Sequence, residues 1–221
     1  MRLFLILYGL FIIAGGLVLL SFSKEEIFLY INSRHSASGD LFFPVITYLG
    51  GGVLSLFVGL ISMFLLNFRK AIIVVTSFLL SGAVVQLLKR LVFNDEFRPI
   101  KYFEGIQEIY IIPGMDVHQF YSFPSGHSAT IFSLCCFVAL IISAESRMKS
   151  ALMALMLFLI ALLVAISRIY ISQHFFGDIY VGSAIGVIVT LLVFKYLNSS
   201  RFDNISWLDS NVRRALRIER R

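Results

Sequence analysis

Three groups of polar residues interrupt an otherwise apolar chain, and each carries a possible chemistry. The most informative is Ser167-Arg168, then His174, then Asp178. His174 and Asp178 are four apart, so on a helix they share a face. A carboxylate accepting from Nδ1 fixes the imidazole tautomer and leaves Nε2 free as base or nucleophile. Arg168 adds a bidentate partner for phosphate. Taken alone, this group also fits a helix-capping ion pair. The second group is Phe123-Pro124-Ser125-Gly126-His127. Pro124 and Ser125 read as a helix start, whose free N–H groups and positive dipole end suit an anion. Gly126 lets a ligand approach the backbone, and His127 follows within the first turn as a proton donor. An ordinary capped helix with an interfacial histidine is the bland alternative. The third group is Lys89, Arg90, Arg98 and Pro99, which by themselves fit cations flanking a membrane span as well as an anion clamp.

Combined, the groups supply a nucleophile, its orienting acid, a second histidine and several phosphate donors. That is the inventory for phosphoryl transfer through a covalent phosphohistidine, with cations and N–H groups meeting the charge on the equatorial oxygens. His174 would attack phosphorus. His127 would protonate the departing oxygen and then help activate water. Lys and Arg do the neutralising, so neither a metal nor another cofactor is expected.

The elements that position these residues are membrane helices. The chain has 221 residues, of which 58% are hydrophobic and 14% charged. A soluble domain averages about 45–50% apolar and about 25% charged residues. A disordered chain, a coiled coil and an ordinary soluble enzyme are therefore excluded. Six apolar stretches approach the roughly 20 residues that a span needs: about Leu3–Phe22, Phe42–Leu66, Ala71–Leu88, Ser125–Ile142, Leu152–Ile169 and Ile179–Tyr196. The expected fold is all-α, a six-helix membrane bundle in a single domain over residues 1–221. The first stretch exceeds the 7–15 apolar residues usual in a signal peptide, so an uncleaved helix is favoured.

Six spans place both termini on one side. Arg2, Arg69, Lys70, Arg147, Lys149, Lys195, Arg201, Arg213, Arg214, Arg217, Arg220 and Arg221 lie there, 12 of the 19 basic residues. Of the 13 acidic residues only Glu145, Asp203, Asp209 and Glu219 accompany them. The positive-inside bias makes that side cytoplasmic and puts all three chemical groups on the opposite side. The same bias accounts for the net charge of +6, so nucleic acid is not an expected partner. The segments Ser23–Asp40, Lys89–Pro124 and Ser167–Asp178 are the informative loops. Lys24–Phe43 reads as a helix lying in the interface. In the basic tail, residues 199–221, Ile205, Leu208, Val212 and Leu216 recur at spacings of three and four, as in an amphipathic surface helix on an anionic leaflet. A disordered basic tail is the alternative. Cys135 and Cys136 are adjacent and read as core residues, not a disulfide. His35 and His118 read as solvated loop residues, and Tyr121 and Phe123 as interface anchors.

The motifs match a family. The chain resembles the type-2 phosphatidic acid phosphatase superfamily, which includes vanadium haloperoxidases, in its membrane-integrated lipid phosphatase branch. The family's PSGH motif stands as Pro124-Ser125-Gly126-His127, and its SR-x5-H-x3-D motif stands in full from Ser167 to Asp178. Its first motif, usually K-x6-RP, is lengthened: eight residues separate Lys89 from Arg98 and seven separate Arg90 from it. Lys89 and Arg90 both remain candidates, with Lys89 favoured. The resemblance covers residues 32 to about 188. It implies a six-helix bundle with its active site at the non-cytoplasmic end. It implies that His174 is the nucleophile, Asp178 its relay and His127 the acid, and that Lys89, Arg98, Ser125, Gly126 and Arg168 bind phosphate.

The expected function is hydrolysis of a lipid phosphate or diphosphate at headgroup depth, in the bacterial cytoplasmic membrane. Undecaprenyl diphosphate, phosphatidylglycerol phosphate, phosphatidate and lipid A phosphates all stay open as substrates, and oligomeric state carries no signal. A phosphotransferase would use the same residues. A non-catalytic scaffold would not need both histidines and Asp178 on one side. A transporter would show paired broken helices near the midplane. The orientation is testable with single cysteines at Ser199 and Glu104. An impermeant thiol reagent on intact cells should label Glu104→Cys and spare Ser199→Cys, and the reverse pattern would move the active site to the cytoplasm.

Overall fold

An apolar chain in lipid must satisfy its backbone hydrogen bonds within itself, and helices do so segment by segment. A computed structural model describes residues 2–142 and 147–218, and every regular element in them is helical. Glu145, Glu219, Arg220 and Arg221 of the charge count lie outside the described residues. In chain order the helices are α1 (Arg2–Ser21), α2 (Lys24–Asn32), α3 (Ala37–Ile46), α4 (Val53–Leu65), α5 (Phe68–Leu91), α6 (Pro99–Tyr102), α7 (Gly126–Ile141), α8 (Arg147–Tyr170), α9 (Phe176–Leu197) and α10 (Val212–Ile218). Short 3-10 turns lie at Thr47–Gly50, Ser200–Phe202 and Ser206–Asp209.

Four of these helices, α1, α5, α8 and α9, are long and apolar enough to cross a membrane. A fifth crossing results if α3, its 3-10 turn and α4 count as one span bent by 49°. The bend falls at Gly50-Gly51-Gly52, where Gly52 has a φ of +90° that a side chain would disfavour. Six spans were expected, and α7 makes the difference. It has 16 residues, which at 1.5 Å per residue is about 24 Å, short of the roughly 30 Å hydrocarbon core. Yet every residue from Ser128 to Phe137 in it is buried. It is the central helix, enclosed by α5, α8 and α9.

Glycines set the α7–α9 contact. A Cβ on Gly182 would overlap the Ser125 carbonyl, and one on Gly186 would overlap the Ala129 carbonyl. This close approach is the small-residue packing by which membrane helices associate. Below it, Ser133 Oγ and Thr190 Oγ1 share a 2.7 Å hydrogen bond. On the outside of the bundle, α1 rests on α8 and α9, with the Tyr180 hydroxyl donating to the Ile12 carbonyl at 2.9 Å.

Three sequence expectations need correction. Residues 24–43 form no single interfacial helix: α2 and α3 are separated by a turn, and Phe28 is fully buried between Phe103 and Phe175. His35 is not solvated. Its side chain is 7% exposed, its Nδ1 lies 2.8 Å from Asp40 Oδ1, and its ring packs against Tyr110 and Tyr170. The C-terminal pattern is not one continuous helix either, because Ser210 and Asn211 interrupt it. The cause is a set of tertiary bonds. Arg69 holds Asp209 with two donors at 2.8 and 2.9 Å, and Phe68 N donates to the Ser210 carbonyl at 2.9 Å.

The helix contact makes a prediction. Gly186→Ala pushes a methyl into backbone that cannot yield, so it should destabilise the protein by about 1–3 kcal/mol, as overpacking does. Gly82→Ala on α5 meets nothing within 4 Å and should leave the melting temperature unchanged or slightly raised. Thermal unfolding of the two purified variants in one detergent checks the contrast.

Candidate active site

The site lies where the ends of α5, α7, α8 and α9 meet the loop after α6. Ser125 is the N-cap of α7, and its side chain accepts from Ser128 N. Its own N–H donates to the Asp178 carbonyl at 2.9 Å, which fixes the start of α7 against the first turn of α9. The N–H groups of Gly126 and His127 are the next two at that helix start, where no earlier turn supplies acceptors. The His127 imidazole makes no hydrogen bond among the described residues.

Asp178 is buried and accepts three hydrogen bonds on Oδ2. The donors are Phe175 N at 3.0 Å, His174 Nδ1 at 3.0 Å, and the Ser122 hydroxyl. The Phe175 contact is the reach-back half of a helix capping box. Because the carboxylate is an acceptor, Nδ1 carries the imidazole proton and Nε2 presents its lone pair. His174 is 2% exposed. Burial first, and then the positive charges of Arg98, Arg168 and Lys89, hold its pKa well below the ordinary 6.5, so the ring is neutral at pH 7.

The three cations are buried around it. Lys89, in the last turn of α5, donates to the Tyr121 carbonyl at 2.7 Å, whereas Arg90 is exposed. Arg98 precedes α6 and donates from Nε to the Phe120 carbonyl at 3.0 Å and from Nη1 to the Gln173 side chain. Arg168 lies within the last turn of α8, which continues to Tyr170, and its Nη1 donates to Thr47 Oγ1 at 2.9 Å. Its Nε is buried with no partner among the described residues. The fold therefore brings together His174, Asp178, His127, Ser125, Gly126, Lys89, Arg98 and Arg168. Tyr121 and Phe123 belong to this neighbourhood too: Tyr121 supplies the Lys89 acceptor, and Phe123 packs on Phe93 with ring centroids 4.6 Å apart.

Three site residues escaped the sequence reading: Ser122, Thr47 and Gln173. Ser122 was nearest to legible, being directly before the Phe123–His127 group. Thr47 carried the weaker signal of a hydroxyl just before a glycine triplet inside an apolar run. Gln173 differs from neighbouring loop residues only in being an amide beside a histidine.

The same arrangement of parts recurs in known proteins. The PAP2 superfamily profile matches residues 70–202. The chain belongs to the PAP2 superfamily. A lipid A 4'-phosphatase from Porphyromonas gingivalis is 28% identical over 179 residues, covering 78% of this chain and 72% of that protein. PA-phosphatase-type proteins of Drosophila melanogaster and Dictyostelium discoideum are each 33% identical over shorter stretches, and the chain spans only 22% and 36% of their lengths. Among solved structures, Aquifex aeolicus LpxE superposes with a TM-score of 0.64 at 28% identity, covering 80% of this chain and 98% of that one. This PAP2 chain is an integral membrane protein by its helices and its relatives.

The buried neutral histidine gives a stability prediction. The unfolded chain binds a proton at His174 near pH 6.5, whereas the native state resists it. Below that pH the unfolded state holds more protons, so stability falls as pH falls, by at most about 1.4 kcal/mol per unit for this one group. His174→Asn keeps a donor for Asp178 and removes the titration. Between pH 7 and 5 the melting temperature of the variant should therefore fall less steeply than that of the wild type.

Proposed function

We propose that this PAP2 protein is a membrane lipid phosphatase that works through a phosphohistidine on His174. The observation that carries the reading is the neutral, buried His174, held by Asp178 at Nδ1 and ringed by Lys89, Arg98 and Arg168. In the first step Nε2 forms a P–N bond as the ester P–O bond breaks, and His127 gives the departing oxygen its proton. In the second step water forms a P–O bond as the P–N bond breaks, with His127 taking the water's proton. The cations, with the Ser125 and Gly126 end of α7, hold the non-bridging oxygens while charge builds on them.

The lipid A 4'-phosphatase that matches 78% of this chain favours a lipid A-type phosphate, and undecaprenyl diphosphate, phosphatidylglycerol phosphate and phosphatidate stay open beside it. In the same reading α7 is the sixth crossing, shortened because protein surrounds it. Both termini are cytoplasmic, and the site opens to the outer side of a bacterial inner membrane. A phosphate there is reached while its acyl chains stay in the bilayer.

Purified protein should release phosphate from one member of a panel of these four lipids. Its kcat/KM on the long-chain substrate should far exceed that on a water-soluble analogue with the same headgroup. His174→Ala should abolish turnover together with an acid-labile phosphoenzyme. Asp178→Asn should lose about 10²–10⁴-fold through the wrong tautomer. Phosphate trapped on another residue, or full activity in His174→Ala, would sink the assignment.

A further inference from the structure

The residue directly before His174 has no part in the chemistry just described, yet it is among the most constrained in the site. Gln173 is 3% exposed. Its Oε1 accepts from Arg98 Nη1, and its backbone carbonyl accepts from the same nitrogen at 3.4 Å. Its Nε2 donates to the Asp116 carbonyl at 3.0 Å. Arg98 is tied further through Nε to the Phe120 carbonyl at 3.0 Å and through its backbone N–H to the Gln119 carbonyl at 2.9 Å. Only Nη2 of the guanidinium is left without a partner among the described residues.

Amide chemistry suits this position in a way that other side chains do not. A glutamate of the same shape would bind Arg98 more strongly, but would cancel its charge and could not donate to the Asp116 carbonyl. An apolar side chain would leave Arg98 Nη1 only the Gln173 backbone carbonyl at 3.4 Å and would take away the side-chain donor of the Asp116 carbonyl. Glutamine accepts on one side, donates on the other and adds no charge.

We propose that Gln173 is a positioning residue: a neutral clamp that fixes Arg98, leaves Nη2 to a non-bridging phosphate oxygen at full charge, and joins loop 116–120 to the loop carrying His174. This rests on the phosphatase reading of the site. The clamp acts on substrate through Arg98 alone, so its loss falls on phosphate binding more than on the bond-making step.

Two variants test it, with inorganic phosphate as the probe. Gln173→Met keeps the volume and removes both side-chain bonds. Hydrogen bonds to charged groups of this kind correspond to about tenfold or more in affinity. Calorimetric titration should show at least that loss of phosphate affinity, with KM on the lipid substrate rising in step and kcat falling less. Gln173→Glu keeps the shape and places a carboxylate beside His174. The charged and titratable groups around that ring are Lys89 from α5, Arg98 from the loop, His127 from α7, Arg168 from α8 and Asp178 from α9. One added negative charge favours the imidazolium, so the acid limb of kcat/KM should move to higher pH by about one unit. Unchanged phosphate affinity in a folded Gln173→Met overturns the proposal, as does a loss confined to kcat. Should Gln173→Met not fold, Gln173→Glu decides alone, and an unmoved acid limb overturns it. A wild-type protein that binds phosphate but hydrolyses no lipid phosphate would refute the function, while the calorimetric comparison would still judge Gln173.

Discussion

A carboxylate at the buried end of a membrane helix needs hydrogen bonds in place of water, and Asp178 Oδ2 receives three. Each donor does a different task. Phe175 N caps α9, His174 Nδ1 sets the tautomer, and Ser122 ties in the end of the long loop. The Asp178 backbone carbonyl then takes the Ser125 N–H, so the same residue also locates α7. Removing this carboxylate would release a helix cap, an imidazole orientation and a loop anchor together.

The second constraint is steric. Ser125 can reach Asp178 only because Gly182 and Gly186 let α9 approach the α7 backbone. The glycines are thus part of the site's geometry although they carry no chemistry. The same close approach helps enclose the 16-residue α7 among α5, α8 and α9.

Much of this could be read from the chain because it depends on local pattern. Apolar runs gave the long helices, and residue type with spacing singled out His174, Asp178, Ser125 and the cations. What stayed hidden depends on residues that meet only in three dimensions. His35 has neighbours at Asp40, Tyr110 and Tyr170, from three separate segments, and nothing near it in sequence signals burial. Thr47 and Gln173 are ordinary polar residues until α8 and the loop bring an arginine to each. The tail pattern misled for the complementary reason. Its helical period is real, but the Arg69–Asp209 pair and the Ser210 carbonyl bond outweigh what a short surface helix gains by continuing.

The anchors of the three cations share one property. Tyr121, Phe120 and Gln173 give Lys89 and Arg98 neutral oxygens, and Thr47 gives Arg168 a hydroxyl. No cation of the site is paired to a carboxylate within salt-bridge distance among the described residues. Neutral acceptors fix a cation's position while leaving its charge uncancelled, whereas a carboxylate does both at once. The cost is mutual repulsion among three buried positive charges, and the same charges add to burial in keeping His174 unprotonated. A bound phosphate dianion relieves that repulsion. In the proposed phosphatase reading, the electrostatics that would prepare His174 as the nucleophile and those that would bind the anion are one arrangement, and weakening the first should weaken the second.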